Sequence, residues 1–115
     1  MKFQFVNHAS MIVNAKNISI ISDPWLFGNV FNDGWSLLCK SPKINWKSID
    51  FIWISHEHPD HFHVPSLLSI PDDEKLNITV LYQSTLDKKV ITWLKSKKFN
   101  VKELPLLKNI EISPG

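Results

Sequence analysis

Residues 51–63 read Phe51-Ile52-Trp53-Ile54-Ser55-His56-Glu57-His58-Pro59-Asp60-His61-Phe62-His63, and the two ends of this stretch follow different physical rules. Phe51 to Ile54 is apolar at every position, bulky and partly β-branched, as expected of a strand buried on both faces under helices. It is the candidate central strand. Directly after it, four of the chain's five histidines fall within eight residues. Residue frequencies alone produce a His-x-His-x-Asp-His string in well under about one chain in a thousand of this length. The spacing has a geometric reason: His56 and His58 lie two apart, so an extended segment points both rings to one side, and Pro59 then turns the chain. Asp60 and His61 then face the same cavity from the far side of the turn. Imidazole and carboxylate together suit zinc, and they also accept iron or manganese. The competing reading is a solvent-exposed polar loop, which accounts for Pro59 but not for the density of histidine.

Towards the N-terminus, Phe3 to Val6, Met11 to Val13 and Ile18 to Ile21 read as short strands separated by polar turns at Asn7 to Ser10 and Asn14 to Asn17. An antiparallel meander is the simplest arrangement. Towards the C-terminus, Pro65 opens a short helix through Ile70 that ends at Pro71, and Ile78 to Tyr82 returns as a strand. A second helix is expected from the capping-box-like pair Ser84 and Asp87, the stripe Leu86, Val90, Trp93, Leu94, and the terminal lysines Lys95, Lys97 and Lys98. Those lysines read as a solvated face. Val101 to Leu104 and Asn109 to Ile112 are further candidate strands, so the overall order is α/β. Ser113-Pro114-Gly115 follows with nothing left to cover the last strand, which suggests a truncated domain.

A chain of 115 residues with 13 Lys+Arg, 11 Asp+Glu and 43% hydrophobic residues has the composition of one soluble domain or part of one. The net charge of +2 provides no strong basic footprint, which argues against nucleic acid as a partner. No apolar run approaches the roughly 18 to 20 residues of a membrane span, and Met1-Lys2-Phe3-Gln4 lacks a signal-peptide core. A cytoplasmic location without membrane attachment is expected. The single Cys39 makes no internal disulfide, excludes a multi-cysteine zinc site and reads as a small buried apolar residue. Three glycines are too few for a phosphate-cradling loop.

The string from His56 to His61 resembles the metal-binding motif of the metallo-β-lactamase fold superfamily. Asn7-His8-Ala9-Ser10 and Ile21-Ser22-Asp23-Pro24-Trp25-Leu26 resemble the N-terminal half of the ascorbate-phosphate lactonase-like and phospholipase-D-like branches. Gly34-Trp35-Ser36-Leu37-Leu38, Ile52 to His56 and Asp60-His61 look closest to the corresponding part of the CMP-N-acetylneuraminate hydroxylases. The resemblance implies an N-terminal half of an αββα sandwich, with residues 1–115 as one incomplete domain. It further implies His56 and His58 as ligands of a first metal, Asp60 and His61 as ligands of a second, and two zinc ions in the complete domain. Asp23 becomes a buried carboxylate behind the ligands, and His8 a residue at the mouth of the site. A metal-bound hydroxide would be the nucleophile, and Asp60, the candidate catalytic residue, would orient it or accept a proton. The remaining ligands, a His, a bridging Asp and a last His, would lie beyond the motif, and no histidine follows His63.

Several residues keep two readings. Asp23 before Pro24 is also ordinary strand-ending turn chemistry, and His8 is either a turn residue or a wall of the site. His63 is expected at the surface, starting a helix, and Glu57 should point away from the metals. Trp25, Trp35 and Trp46 are expected to pack, with Trp25 and Trp35 as alternative cleft walls. The function expected from the resemblance is metal-dependent hydrolysis of an ester, lactone or phosphodiester bond in a small-molecule substrate. The alternatives are a non-catalytic fragment or remnant that self-associates through an exposed sheet edge, or one component of an iron-dependent sugar-nucleotide hydroxylase. The hydroxylases also carry an iron-sulfur domain built on paired Cys and His, whereas this chain has one cysteine.

Overall fold

The computed structural model describes residues 1–105, 109, 110 and 112. The three N-terminal strands form as β1 (Lys2–Asn7), β2 (Ser10–Ala15) and β3 (Ile18–Ser22), an antiparallel meander in which Phe3 pairs with Val13 and Val13 with Ile20. The β2–β3 turn places Lys16 and Asn17 at φ 49° and 66°, the left-handed pair that a two-residue primed turn requires. In the β1–β2 turn, His8 alone carries a positive φ, 45°, where a β-carbon is disfavoured.

Parallel pairing then takes over. β4 (Phe51–Ile54) lies beside β3, β5 (Thr79–Gln83) beside β4, and β6 (Asn100–Leu104) beside β5, giving a six-stranded sheet in sequential order among the described residues. Of the segment Asn109–Ile112, Asn109, Ile110 and Ile112 are not in a strand, and Glu111 lies outside the described residues. So do Ser113, Pro114 and Gly115.

Strand periodicity sorts the side chains onto two faces. Ile12, Ile21, Ile52, Ile54, Val80 and Tyr82 share one face and join Leu67, Ile70, Val90, Ile91, Leu94 and Phe99 in the core. Helices α1 (Val64–Leu68) and α3 (Lys89–Ser96) supply Leu67 and the Val90-Ile91-Leu94 stripe, so they cover this face. The other face carries Phe3, Phe5, Met11, Val13, Ile20, Phe51, Trp53 and Leu81. Phe3 and Phe5 are 66% and 65% exposed there, and Phe51 and Trp53 are half-buried. The expectation that helices bury β4 on both faces is therefore corrected: every buried apolar helix residue belongs to the cluster on the first face. A mixed sheet with helices on one face and an apolar opposite face is the architecture of one half of the αββα sandwich.

The helix starts show where local patterns mislead. α1 begins as expected, with Pro65 in its first turn. α3 begins at Lys89 and not near Ser84; Asp87 Oδ1 accepts the Lys89 N–H (2.8 Å), and the Thr85 hydroxyl donates to the Asp87 carbonyl. These local bonds hold residues 85–87 in a turn, and Leu86, expected in the apolar stripe, is fully exposed. The short α2 (Asp72–Lys75) was not expected; it opens on Asp72, Asp73 and Glu74, the charges that favour a helix N-terminus. Lys75 Nζ is buried over the Phe99 ring and pairs with Asp72. Among the described residues no helix is long and apolar enough to cross a membrane.

Candidate metal centre

The site gathers at the ends of β1, β3 and β4. The Asp23 N–H donates to the Trp53 carbonyl (2.8 Å), which extends the β3–β4 ladder by one step and sets Asp23 beside Ser55. Asp23 is 5% exposed and its backbone is left-handed at φ 35°, a conformation Asp tolerates better than most residues. Its carboxylate accepts from the Ser55 N–H (2.7 Å), the Ser55 hydroxyl (2.7 Å) and His61 Nδ1 (2.8 Å). The expected buried carboxylate and the turn reading of Asp23 thus coexist in one residue.

Those bonds fix proton positions. A carboxylate only accepts, so the bond to Asp23 puts a proton on His61 Nδ1 and, in the neutral ring, leaves Nε2 with the lone pair. The single Ser55 hydroxyl proton goes to Asp23, so the contact between Ser55 Oγ and His56 Nδ1 (2.8 Å) must run from a protonated Nδ1 to the oxygen. In its neutral form His56 therefore also presents its lone pair on Nε2. One buried carboxylate, acting directly and through Ser55, sets two imidazoles in the tautomer that a metal ligand needs. The role of Ser55 was not read from the sequence; no periodicity singles out a small hydroxyl between a strand and a loop.

The motif loop closes on itself, with the His61 and Phe62 N–H groups both donating to the His58 carbonyl (2.9 and 2.7 Å). This is a turn and not an extended arm, yet it brings the rings together: His56 to His58 centroids are 4.7 Å apart and His56 to His61 are 4.0 Å apart. Asp60 is buried within the turn, and its Oδ2 lies 3.3 Å from His61 Nε2 and 2.9 Å from His8 Nε2. His8, Asp60 and His61 each offer a donor atom, all within 4.8 Å of one another. Asp60 Oδ2 and His61 Nε2 face each other at 3.3 Å, a spacing satisfied by a proton on the imidazole, which a cation can replace. Imidazole and carboxylate donors gathered this closely fit a divalent ion. Burial raises the Asp60 carboxyl, but the His8 hydrogen bond and the fields of His61 and His8 outweigh it and hold its pKa below the ordinary carboxylate value.

His8 sits against this group and not merely at its mouth. Its ring meets Trp25 edge-on at 5.1 Å and Trp35 at 6.2 Å. A left-handed non-glycine residue carrying an imidazole into a polar cluster is strain placed at a site. His58 is exposed, and so is Glu57, whose charge, with burial ahead of it and Asp87 after it, raises the Tyr82 hydroxyl.

Three expectations near the site are corrected. His63 starts α1 as read, but it is buried at 4% exposure and not at the surface. Its Nδ1 accepts from the Ser66 N–H (3.2 Å) and hydroxyl (2.6 Å), and burial lowers its pKa. Cys39 is exposed and not buried, because its loop runs over the surface. Trp35 is exposed, whereas Trp25 is buried with its indole N–H on the Gly28 carbonyl (3.0 Å), and Trp46 packs against the core. A hollow of about 670 Å³ lies between Leu26, loop 41–47 and Pro71 and includes none of the clustered histidines.

The sequence pattern of the family described as a β-lactamase superfamily domain matches residues 2–111. A cytidine monophosphate-N-acetylneuraminic acid hydroxylase from Xenopus laevis is 33% identical over 114 residues, covering 96% of this chain and 18% of that protein. A structure described as a possible metal-dependent hydrolase from Veillonella parvula superposes with a TM-score of 0.66 at 18% identity, over 96% of this chain and 44% of that one. An isothiocyanate hydrolase from Delia radicum gut bacteria gives a TM-score of 0.63 at 20% identity, over 97% and 43%. The chain thus spans less than a fifth of that curated relative and under half of either solved structure.

Proposed function

The chain belongs to the β-lactamase superfamily domain family, and from that premise we propose that it supplies the metal-holding half of a hydrolase acting on an ester, lactone or phosphodiester bond. The observation that carries this reading is the Asp23 relay, which in the neutral rings frees Nε2 of His56 and of His61, the latter 3.3 Å from Asp60 Oδ2. By the family likeness His56, His58, Asp60 and His61 would hold the metal; the donor atoms that lie within 4.8 Å of one another are those of His8, Asp60 and His61. Zinc suits these donors, and iron or manganese accept them too. When bound, the ion supplies Lewis acidity to the scissile carbonyl or phosphoryl group and lowers the pKa of water.

The chain's own residues do the rest. Asp23 and Ser55 hold the imidazoles in one tautomer, and His8 holds Asp60 Oδ2 by a hydrogen bond so that this oxygen is placed to take the proton of an attacking water. Elemental analysis of the purified chain beside its His56→Ala/His58→Ala variant tests the site: metal in the first and none in the second is expected, and equal content in both would overturn it. With metal bound, Asp60→Asn is expected to lose most ester hydrolysis, by about 100-fold or more; near-normal turnover removes Asp60 from the mechanism.

The hydroxylase likeness favours a second reading, in which the chain is part of an iron-dependent sugar-nucleotide hydroxylase. Iron retained in preference to zinc, together with oxygen uptake dependent on that iron, would select it. For partners, the proposal is a small-molecule substrate and self-association through β1, whose outer edge is unpaired among the described residues.

A further inference from the structure

Asn7 and His8 are consecutive but do different things. The Asn7 side chain is buried and grips the loop that crosses above it: Nδ2 donates to the Cys39 carbonyl (3.2 Å) and the Ser41 hydroxyl (2.6 Å), and the Cys39 thiol donates back to Oδ1 (3.5 Å). Between that loop and the β1–β2 turn lies a cleft of about 300 Å³. Phe5, Trp25 and Leu37 line it with Leu38 at its exposed rim, and no Asp, Glu, Lys or Arg among the described residues lines it. The Trp25 indole N–H is spent on Gly28, so its ring offers only apolar surface. The cleft ends at His8, whose Nε2 bonds to Asp60, so whatever fills it abuts the metal-ligand cluster.

We infer that this cleft receives an uncharged, apolar acyl or alkyl substituent of the substrate, and that Asn7 is the positioning residue that holds the cleft's outer wall in place. The inference rests on the hydrolase reading and narrows it to substrates whose arm beside the scissile bond is uncharged and apolar. A charged arm would meet a wall that has no counter-charge, whereas apolar groups are retained by area alone.

The single cysteine is a reporter on the cleft wall. Alkylation of Cys39 by iodoacetamide, followed by mass spectrometry on the 115-residue chain, should slow in the presence of hexan-1-ol with or without zinc. On the zinc-loaded chain, alkyl hydroxamates from two to six carbons should bind about threefold more tightly per added methylene until the cleft is full. Leu38→Glu, at a fully exposed rim position, should abolish that chain-length dependence. Asn7→Ala should speed Cys39 alkylation and flatten the dependence. Protection by hexan-1-ol without zinc binding would sink the hydrolase reading and keep the cleft. Zinc binding with affinity indifferent to tail length, or unchanged dependence in Leu38→Glu, would overturn the cleft. Protection of Cys39 by inorganic phosphate equal to that by hexan-1-ol would also overturn it.

Discussion

Replacing Asp23 separates folding from metal binding, because the same carboxylate serves both. It accepts three hydrogen bonds at 2.7, 2.7 and 2.8 Å in a buried position. Bonds to a charged acceptor contribute about 1.5–3 kcal/mol each and are not additive, so Asp23→Ala should cost about 4 kcal/mol. A further ~1 kcal/mol comes from placing alanine at a left-handed φ. Against a total stability of about 5–15 kcal/mol, that variant sits near unfolding and tells little about the site. Asp23→Asn is the informative change. Asparagine tolerates the left-handed backbone, and its carbonyl oxygen can still accept the Ser55 N–H. Its amide, however, donates where the carboxylate accepted, so Ser55 Oγ and His61 Nδ1 must turn into acceptors. The His61 proton moves to Nε2, and that nitrogen no longer has a lone pair for a cation. Loss of such an orienting partner lowers metal affinity about 10- to 100-fold, while the stability loss should stay near 1–2 kcal/mol. Urea unfolding in chelator reads the second quantity, and zinc competition against a chromophoric chelator reads the first. Asp23→Asn retaining zinc affinity within about threefold of the parent would refute the tautomer argument.

Further outcomes follow from particular contacts. Burial lowers the folded-state pKa of His63 below its ordinary 6.5, so the unfolded chain binds the extra proton first and stability should fall as pH drops below that value. Urea midpoints at neutral and mildly acidic pH should show this, and the same slope in His63→Asn would assign it elsewhere. Ile52→Ala, at a fully buried position of β4, should lose about 2–5 kcal/mol, whereas Phe3→Ala on the uncovered face should stay within about 0.5 kcal/mol; paired thermal melts decide, and equal losses would mean that the face is covered. Phe3→Lys/Phe5→Lys should reduce any concentration-dependent association seen by sedimentation velocity, because charge on an edge strand opposes pairing; unchanged association would exclude β1 as the contact.

Local rules reached a good part of the molecule. The meander, β4, the start of α1 and the strand-helix alternation follow from periodicity and turn chemistry, which act over a few residues. The His56–His61 string was likewise legible, because its residue types are rare together. The failures were local as well: Ser84 and Asp87 looked like a cap, but bonds between neighbouring groups held residues 85–87 in a turn ahead of α3.

What the sequence by itself determined is most of the strands, the core-facing stripe within the helices and the donor atoms available to a cation. Only the tertiary structure decided which ring nitrogen of His56 and of His61 is held by Ser55 and Asp23. That depends on Asp23 reaching Ser55 across 32 positions and His61 across 38, contacts that exist only once β3 and β4 lie in register. It also decided that His8 bonds Asp60 and that Asn7 ties down the Cys39 loop. Hydrogen bonds between distant residues leave no periodic trace in a chain, whereas burial of a face does, and this difference separates what was readable from what had to fold first.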